Sequence, residues 1–218
     1  MKIIFFILFL NYFGFAQQQE IYSENFFWTY DNNLQLDGII GEKNCYVREN
    51  ASTNSAILDS LQIGNPITIL TQSETNLTFR GLTLPWVEIK YQKGNETKKG
   101  FIWKGFIAIG DSSHRNVRFI TSLIKKIDKK VTENSNGYKH EYTKTFFGFK
   151  INVCDLSNTI LNEKTFEHHV SDNYYFTNST IDNYGLKNVI SIYRATFNGE
   201  ACGVPTEYKY FYWDGKKL

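Results

Sequence analysis

Proline is scarce in this chain, three in 218 residues, so little interrupts an extended backbone. Cysteine is equally scarce. Cys45, Cys154 and Cys202 stand far apart with no C-x-x-C spacing, which excludes a zinc ribbon or a thioredoxin-like site. Neither charge dominates: 24 Lys and Arg face 22 Asp and Glu, a formal net charge of +2. No basic stripe of the kind nucleic-acid binding needs is present. The densest basic run, KKIDKK at 125–130, reads as a solvated face. After the first 16 residues no segment is long and apolar enough to span a bilayer, so no integral membrane segment is expected beyond that point. G-x-S-x-G, H-E-x-x-H and P-loop patterns are all missing, and the chain is expected to be no enzyme and to need no cofactor.

The start of the chain, MKIIFFILFLNYFGFAQQQ, has one charge at Lys2, an apolar run from Ile3 to Leu10 and small residues ending at Ala16. That order is the one a secretory signal peptide requires, with cleavage expected after Ala16 and a periplasmic or extracellular address. Residues 17–37 form an acidic, aromatic-containing segment; residues 17–40 hold four acids and no Lys or Arg. In an exported chain, an odd cysteine count allows one internal bridge and one leftover thiol. Cys45 sits in an apolar alternation and reads as a small buried hydrophobe, while Cys154 and Cys202 are the candidate pair for a disulfide.

Aromatics are abundant, at 17%. Tyr, Phe, Ile and Thr alternate with polar residues in PITIL (66–70), WVEIKYQ (86–92), GFIWKGFIAI (100–109), FFGFKINVCD (146–155), VISIYRATF (189–197) and YKYFYWDG (208–215). Period two marks half-buried strands. HRNVRFITSLIKKIDKK (114–130) fits both periods, through Val117, Ile120, Ile124 and Ile127 for a helix and Val117, Phe119, Thr121 and Leu123 for a strand. Its many β-branched residues favour a strand. The expectation is an all-β chain in two parts, meeting at the polar stretch IGDSSHRN (109–116).

Residues 38–110 resemble the bacterial SH3 (SH3b) family. The resemblance is carried by Cys45-Tyr46-Val47-Arg48, Ser52 to Ser55, Ile57-Leu58, Leu61, Gly64, Ile67 and Ile69-Leu70, then Trp86 to Ile89, Gly100 to Trp103 and Phe106-Ile107. It departs from the family at Asn50-Ala51, where a Gly-Pro is usual, and in a longer loop at 71–85. What the resemblance implies is a small SH3-like barrel; the strand pattern of 114–218 predicts a second antiparallel β-sheet domain with no recognised motif. At period two, Val47, Ile57, Leu61, Ile67, Ile69, Val87, Ile89 and Ile102 share the face that fills such a barrel. Gly64 and Gly100 fall where turns favour glycine.

Tyr46, Trp86, Phe101 and Trp103 are the candidate ligand-binding residues, either as an aromatic groove or as core filling. Arg48 can pin its loop through orphan carbonyls. His168 and His169 are adjacent, so on a strand they point to opposite faces and cannot chelate one metal together; Asp182 lacks the further carboxylates of a calcium loop. No metal is expected. Glu167, Glu200 and Asp214 are hydrolase candidates only in the sense that two acids can converge from anywhere. The function expected is that of an exported, non-catalytic binding protein whose SH3b-like part recognises a peptidoglycan peptide, a glycan or an envelope protein. The alternatives are a structural or inhibitory protein-interaction module using the C-terminal sheet, and an unrecognised hydrolase.

Overall fold

A computed structural model describes residues 36–135, 137–170, 174–199 and 203–218. The described chain is all-β: thirteen antiparallel strands and one short 3-10 turn at Lys104–Phe106. The expected signal peptide, residues 17–35, Glu200 and Cys202 lie outside the described residues.

The first sheet is a curled half-barrel. It contains β1 (Leu36–Ile39), β2 (Cys45–Arg48), β3 (Ile57–Leu61), β4 (Pro66–Phe79), β5 (Leu82–Lys93) and β6 (Glu96–Trp103), ordered β1-β4-β5-β6-β2-β3. Its inner face carries Val47, Ile67, Ile69, Val87, Ile89 and Ile102, all buried as their period predicts. Ile57 departs from that expectation: it lies at the free edge of the sheet and is exposed. Gly64 has a φ of 78°, the left-handed turn geometry expected of it. Gly100 has a different role from the turn expected. It sits within β6, where an added Cβ would lie 2.5 Å from Val47 Cγ1 and 2.9 Å from the Arg48 carbonyl.

Residues 71–85 are not a loop. β4 and β5 continue through them as a hairpin arm, with a register shift between Gln72 and Asn76. Arg80 and Gly81, at φ 54° and 77°, form its two-residue turn, the primed geometry that suits tight hairpins. Leu82 and Leu84 on the arm are fully buried.

The second sheet holds β7 (Gly110–His114), β8 (Val117–Ser135), β9 (Tyr138–Asp155) and β10 (Ile160–His169), ordered β10-β9-β8-β7. The supposed junction at 109–116 is therefore largely strand β7. The ambiguous stretch from 114 is mostly β8, a strand as favoured. The strand wins because both of its faces are covered. Phe119, Thr121 and Leu123 face one layer, and Ile120 and Ser122 face the other, all buried. A bulge between Leu123 and Lys125 shifts the register and turns the next side chains over. The third sheet, β11 (Tyr174–Ile181), β12 (Ser191–Gly199) and β13 (Glu207–Trp213), packs over the second.

Between these two sheets lies an aromatic core. Phe119 stacks on Tyr193 at 5.3 Å between centroids, and Phe149 on Phe166 at 5.0 Å. Phe197 meets Phe149 edge-on at 5.3 Å, the T-shaped arrangement that ring quadrupoles favour. The Tyr193 hydroxyl, fully buried, shares a hydrogen bond with Thr121 Oγ1. Thr180 Oγ1 donates to the Ser113 carbonyl (3.0 Å) at one edge, and the Leu218 amide donates to Asn162 Oδ1 (3.2 Å) at the other.

The second sheet is a wall shared by both parts. Its opposite face meets the half-barrel through Ile63, Ala108, Ile120 and Cys154. Ser122 Oγ donates to the Gly41 carbonyl at 2.7 Å, and Lys150 Nζ lies 2.8 Å from Glu42 Oε2. Arg118 grips Asp111 with two hydrogen bonds (2.8 and 2.7 Å) and reaches Asn158 Oδ1 at 3.0 Å. At the arm's tip the Lys126 amide donates to the Arg80 carbonyl at 3.0 Å, so the arm covers a stretch of β8 edge that β7 is too short to pair.

Candidate binding site

Register places all four aromatic candidates on the outer face of the half-barrel. Trp86 sits opposite Trp103, and Phe101 opposite Arg48, one pleat from Tyr46. The hairpin arm then separates them. Trp86 and Trp103 are only 4% and 2% exposed, and the arm folds across Trp103. Trp103 Nε1 donates to the Leu77 and Leu84 carbonyls at 3.0 and 3.1 Å, and Phe79 and Phe106 meet its ring edge-on at 5.5 and 5.3 Å. The two indoles are packing centres with no open groove between them, and Trp103 has no N–H left for water. Phe101 is half-buried and Tyr46 exposed. Arg48 Nη1 donates to the Ser55 carbonyl at 2.6 Å and pins its loop.

A cleft opens instead at the seam, where the half-barrel meets the first strand of the second sheet. Its volume is about 600 Å³, within the range of small-ligand sites. β1, β4, β5 and the segment Ala108–Asp111 supply its walls. The floor is apolar, through Ile39, Ile67, Tyr91 and Ile109. Burial, and then the neighbouring Asp59 carboxylate, push the Tyr91 hydroxyl up to about 12, so it is neutral at any ordinary pH. The rim is polar and carries both signs. Asp37 Oδ1 accepts from Thr68 Oγ1 at 3.1 Å, Lys90 stands beside Thr68 in register, and Asp111 is fixed by Arg118. Asp37 and Lys90 lie far apart in sequence and come together only through the β1–β4–β5 register, so no local motif announced them.

Among the described residues, the remaining candidates each have their own surroundings. Cys154 is a buried free thiol, and burial pushes it up to about 11; Cys45 is likewise buried and pushed up to about 12. The Glu167 carboxyl is held down to about 2 by hydrogen bonds from Lys129 and Lys125. Asp214 is held below its usual range by the Lys217 and Lys216 amides of the turn it caps. His168 faces the interior and His169 does not; His169 Nδ1 lies 2.7 Å from the Thr145 carbonyl. Asp182 lies 3.3 Å from His114 Nε2. Among the described residues no three His, Cys, Asp or Glu side chains cluster as metal ligands. Set beside protein-family models, curated proteins and solved structures, the chain matches none.

Proposed function

We propose that this chain is an exported, non-catalytic binding protein that holds an envelope peptide, such as a peptidoglycan stem peptide, in the seam cleft. The observation that supports this is the pairing of an apolar floor with a rim carrying Asp37 and Lys90. A short peptide carrying both an amine and a carboxylate offers the complementary charges, and its side chains fit an apolar floor. The SH3b resemblance and the signal-peptide-like start point to the same compartment. Main-chain groups of β1 at the sheet edge add hydrogen-bonding capacity for an extended ligand.

The test is sedimentation of the full chain with insoluble peptidoglycan, followed by calorimetric titration with soluble stem peptide. Lys90→Glu and Asp37→Lys should each weaken binding about tenfold or more, the order expected when one charged contact becomes repulsive. Binding that is absent, or indifferent to both variants, rejects the seam as the site.

A further inference from the structure

The outer face of the third sheet has its own chemistry. Strand β13 reads EYKYFYW, and its alternation sends Phe211 and Trp213 inward and Tyr208, Tyr210 and Tyr212 outward. The three tyrosines are 52%, 46% and 50% exposed. Rings two residues apart on a strand repeat at about 6.7 Å. The Tyr208 and Tyr210 centroids lie 6.3 Å apart, with their planes 27° from parallel. Tyr208 and Tyr210 thus form a near-parallel pair along the strand, and Tyr212 continues the row as an aromatic track.

Register defines what lies beside the track. Thr196, Arg194 and Ile192 of β12 stand opposite Tyr208, Tyr210 and Tyr212. Thr177, Ser179 and Ile181 of β11 continue the same rows. Among these face positions no side chain is acidic and one, Arg194, is cationic. The Arg194 guanidinium lies 5.6 Å from the Tyr208 ring centroid, and its Nε is buried without a hydrogen-bond partner. Ser179 Oγ on the same face is also unpartnered. Ile192 and Thr196 are buried between the rows, so the face offers the three tyrosine rings with their hydroxyls, the exposed Thr177 and the half-buried Arg194 guanidinium.

We infer that this face binds a linear glycan bearing carboxylate groups. A sugar ring has an apolar C–H face that packs on an aromatic ring and a rim of hydroxyls that pairs with the Tyr and Thr177 oxygens. A chain of such rings matches a straight track better than a pocket. Charge complementarity selects the acidic member of the class, because the face carries a cation and nothing that repels an anion. The guanidinium presents donors in a fork suited to a carboxylate. The track shares no residue with the lining of the seam cleft, so this binding is independent of the peptide reading.

Affinity electrophoresis of the full chain through gels containing polygalacturonate tests the inference, with methyl-esterified polygalacturonate as the uncharged counterpart. Retardation should be strong in the first gel and several-fold weaker in the second. Tyr208→Ala with Tyr210→Ala should weaken it about tenfold or more. Arg194→Gln should weaken it several-fold in the acidic gel and leave the esterified gel unchanged. Tyr210→Ser serves if the double variant melts early. Lys90→Glu in the seam should have no effect, and neither should Lys129→Gln with Lys130→Gln on β8. No retardation by polygalacturonate overturns the inference. Retardation that survives the tyrosine variants, or that is lost with the β8 lysines, overturns it too, because the polymer would then be held by charge alone. Capture of a protein by this face in place of the glycan has the same consequence.

Discussion

Trp86 and Trp103 face each other across β5 and β6, and the hairpin arm from the same sheet lies over Trp103. The Trp103 indole donates to two carbonyls, Leu77 of β4 and Leu84 of β5. One side chain thus ties both strands of the arm to the half-barrel. Trp103→Phe keeps most of the apolar volume but leaves two carbonyls short of a donor. It should cost about 1–3 kcal/mol in a urea melt, the range for removing one partner of a buried hydrogen bond. Trp103→Ala should cost about 3–5 kcal/mol and expose the arm to proteases. An arm that stays protected in both variants would show that it is held from elsewhere.

Gly100 offers a cleaner contrast, because the obstacle is backbone and side chain of the neighbouring strand β2. Gly100→Ala should destabilise by about 2–4 kcal/mol, as overpacking in a close-packed site does. Gly94 is a left-handed turn glycine (φ 61°) with nothing within 4 Å of an added Cβ. Gly94→Ala should cost only about 1–2 kcal/mol, the backbone penalty alone. Equal effects at the two positions would refute the close-approach role given to Gly100.

His168 gives the fold a pH dependence of definite sign. Burial, the larger cause, lowers its pKa to about 4, and the Glu207 carboxylate opposes this only in part. The folded chain therefore keeps this imidazole neutral while the unfolded chain protonates it near the ordinary 6.5. The associated stability is present in full above about pH 6.5 and is lost as pH falls towards 4. With allowance for solvent screening the loss should be about 2 kcal/mol. His168→Phe should flatten the stability profile across that window, and an unchanged slope would assign the pH dependence to other groups.

Much of the fold was legible because its strands alternate. PITIL, WVEIKYQ and YKYFYWDG each lie within or across strands that bury the expected face. The arm at 71–85 was not legible, since TQSETN is polar on both sides and carries no period. Its pairing is set by the Arg80-Gly81 turn and by Leu82 and Leu84 docking beneath it. That omission left the groove and core-filling readings of the aromatic set undecided. Tyr46, Trp86, Phe101 and Trp103 do share a face, as spacing required, but period two cannot reveal what lies on top of a face. The tyrosine track was visible as letters at 208, 210 and 212. Its direction became readable only once Phe211 and Trp213 were seen to fill the core.

The wall formed by β8 and β9 also bears on the order of events during folding. These strands are joined by a short turn, so their pairing closes from the tip without a long loop, on the microsecond scale typical of hairpins. The half-barrel is synthesised earlier, yet Gly41, Glu42 and Ile63 find their partners on residues 120–154. A nascent chain that stops short of Asp155 carries a half-barrel with one side bare. The later-made hairpin is the template on which the earlier part finishes, and maturation of the N-terminal strands waits on translation of the middle of the chain.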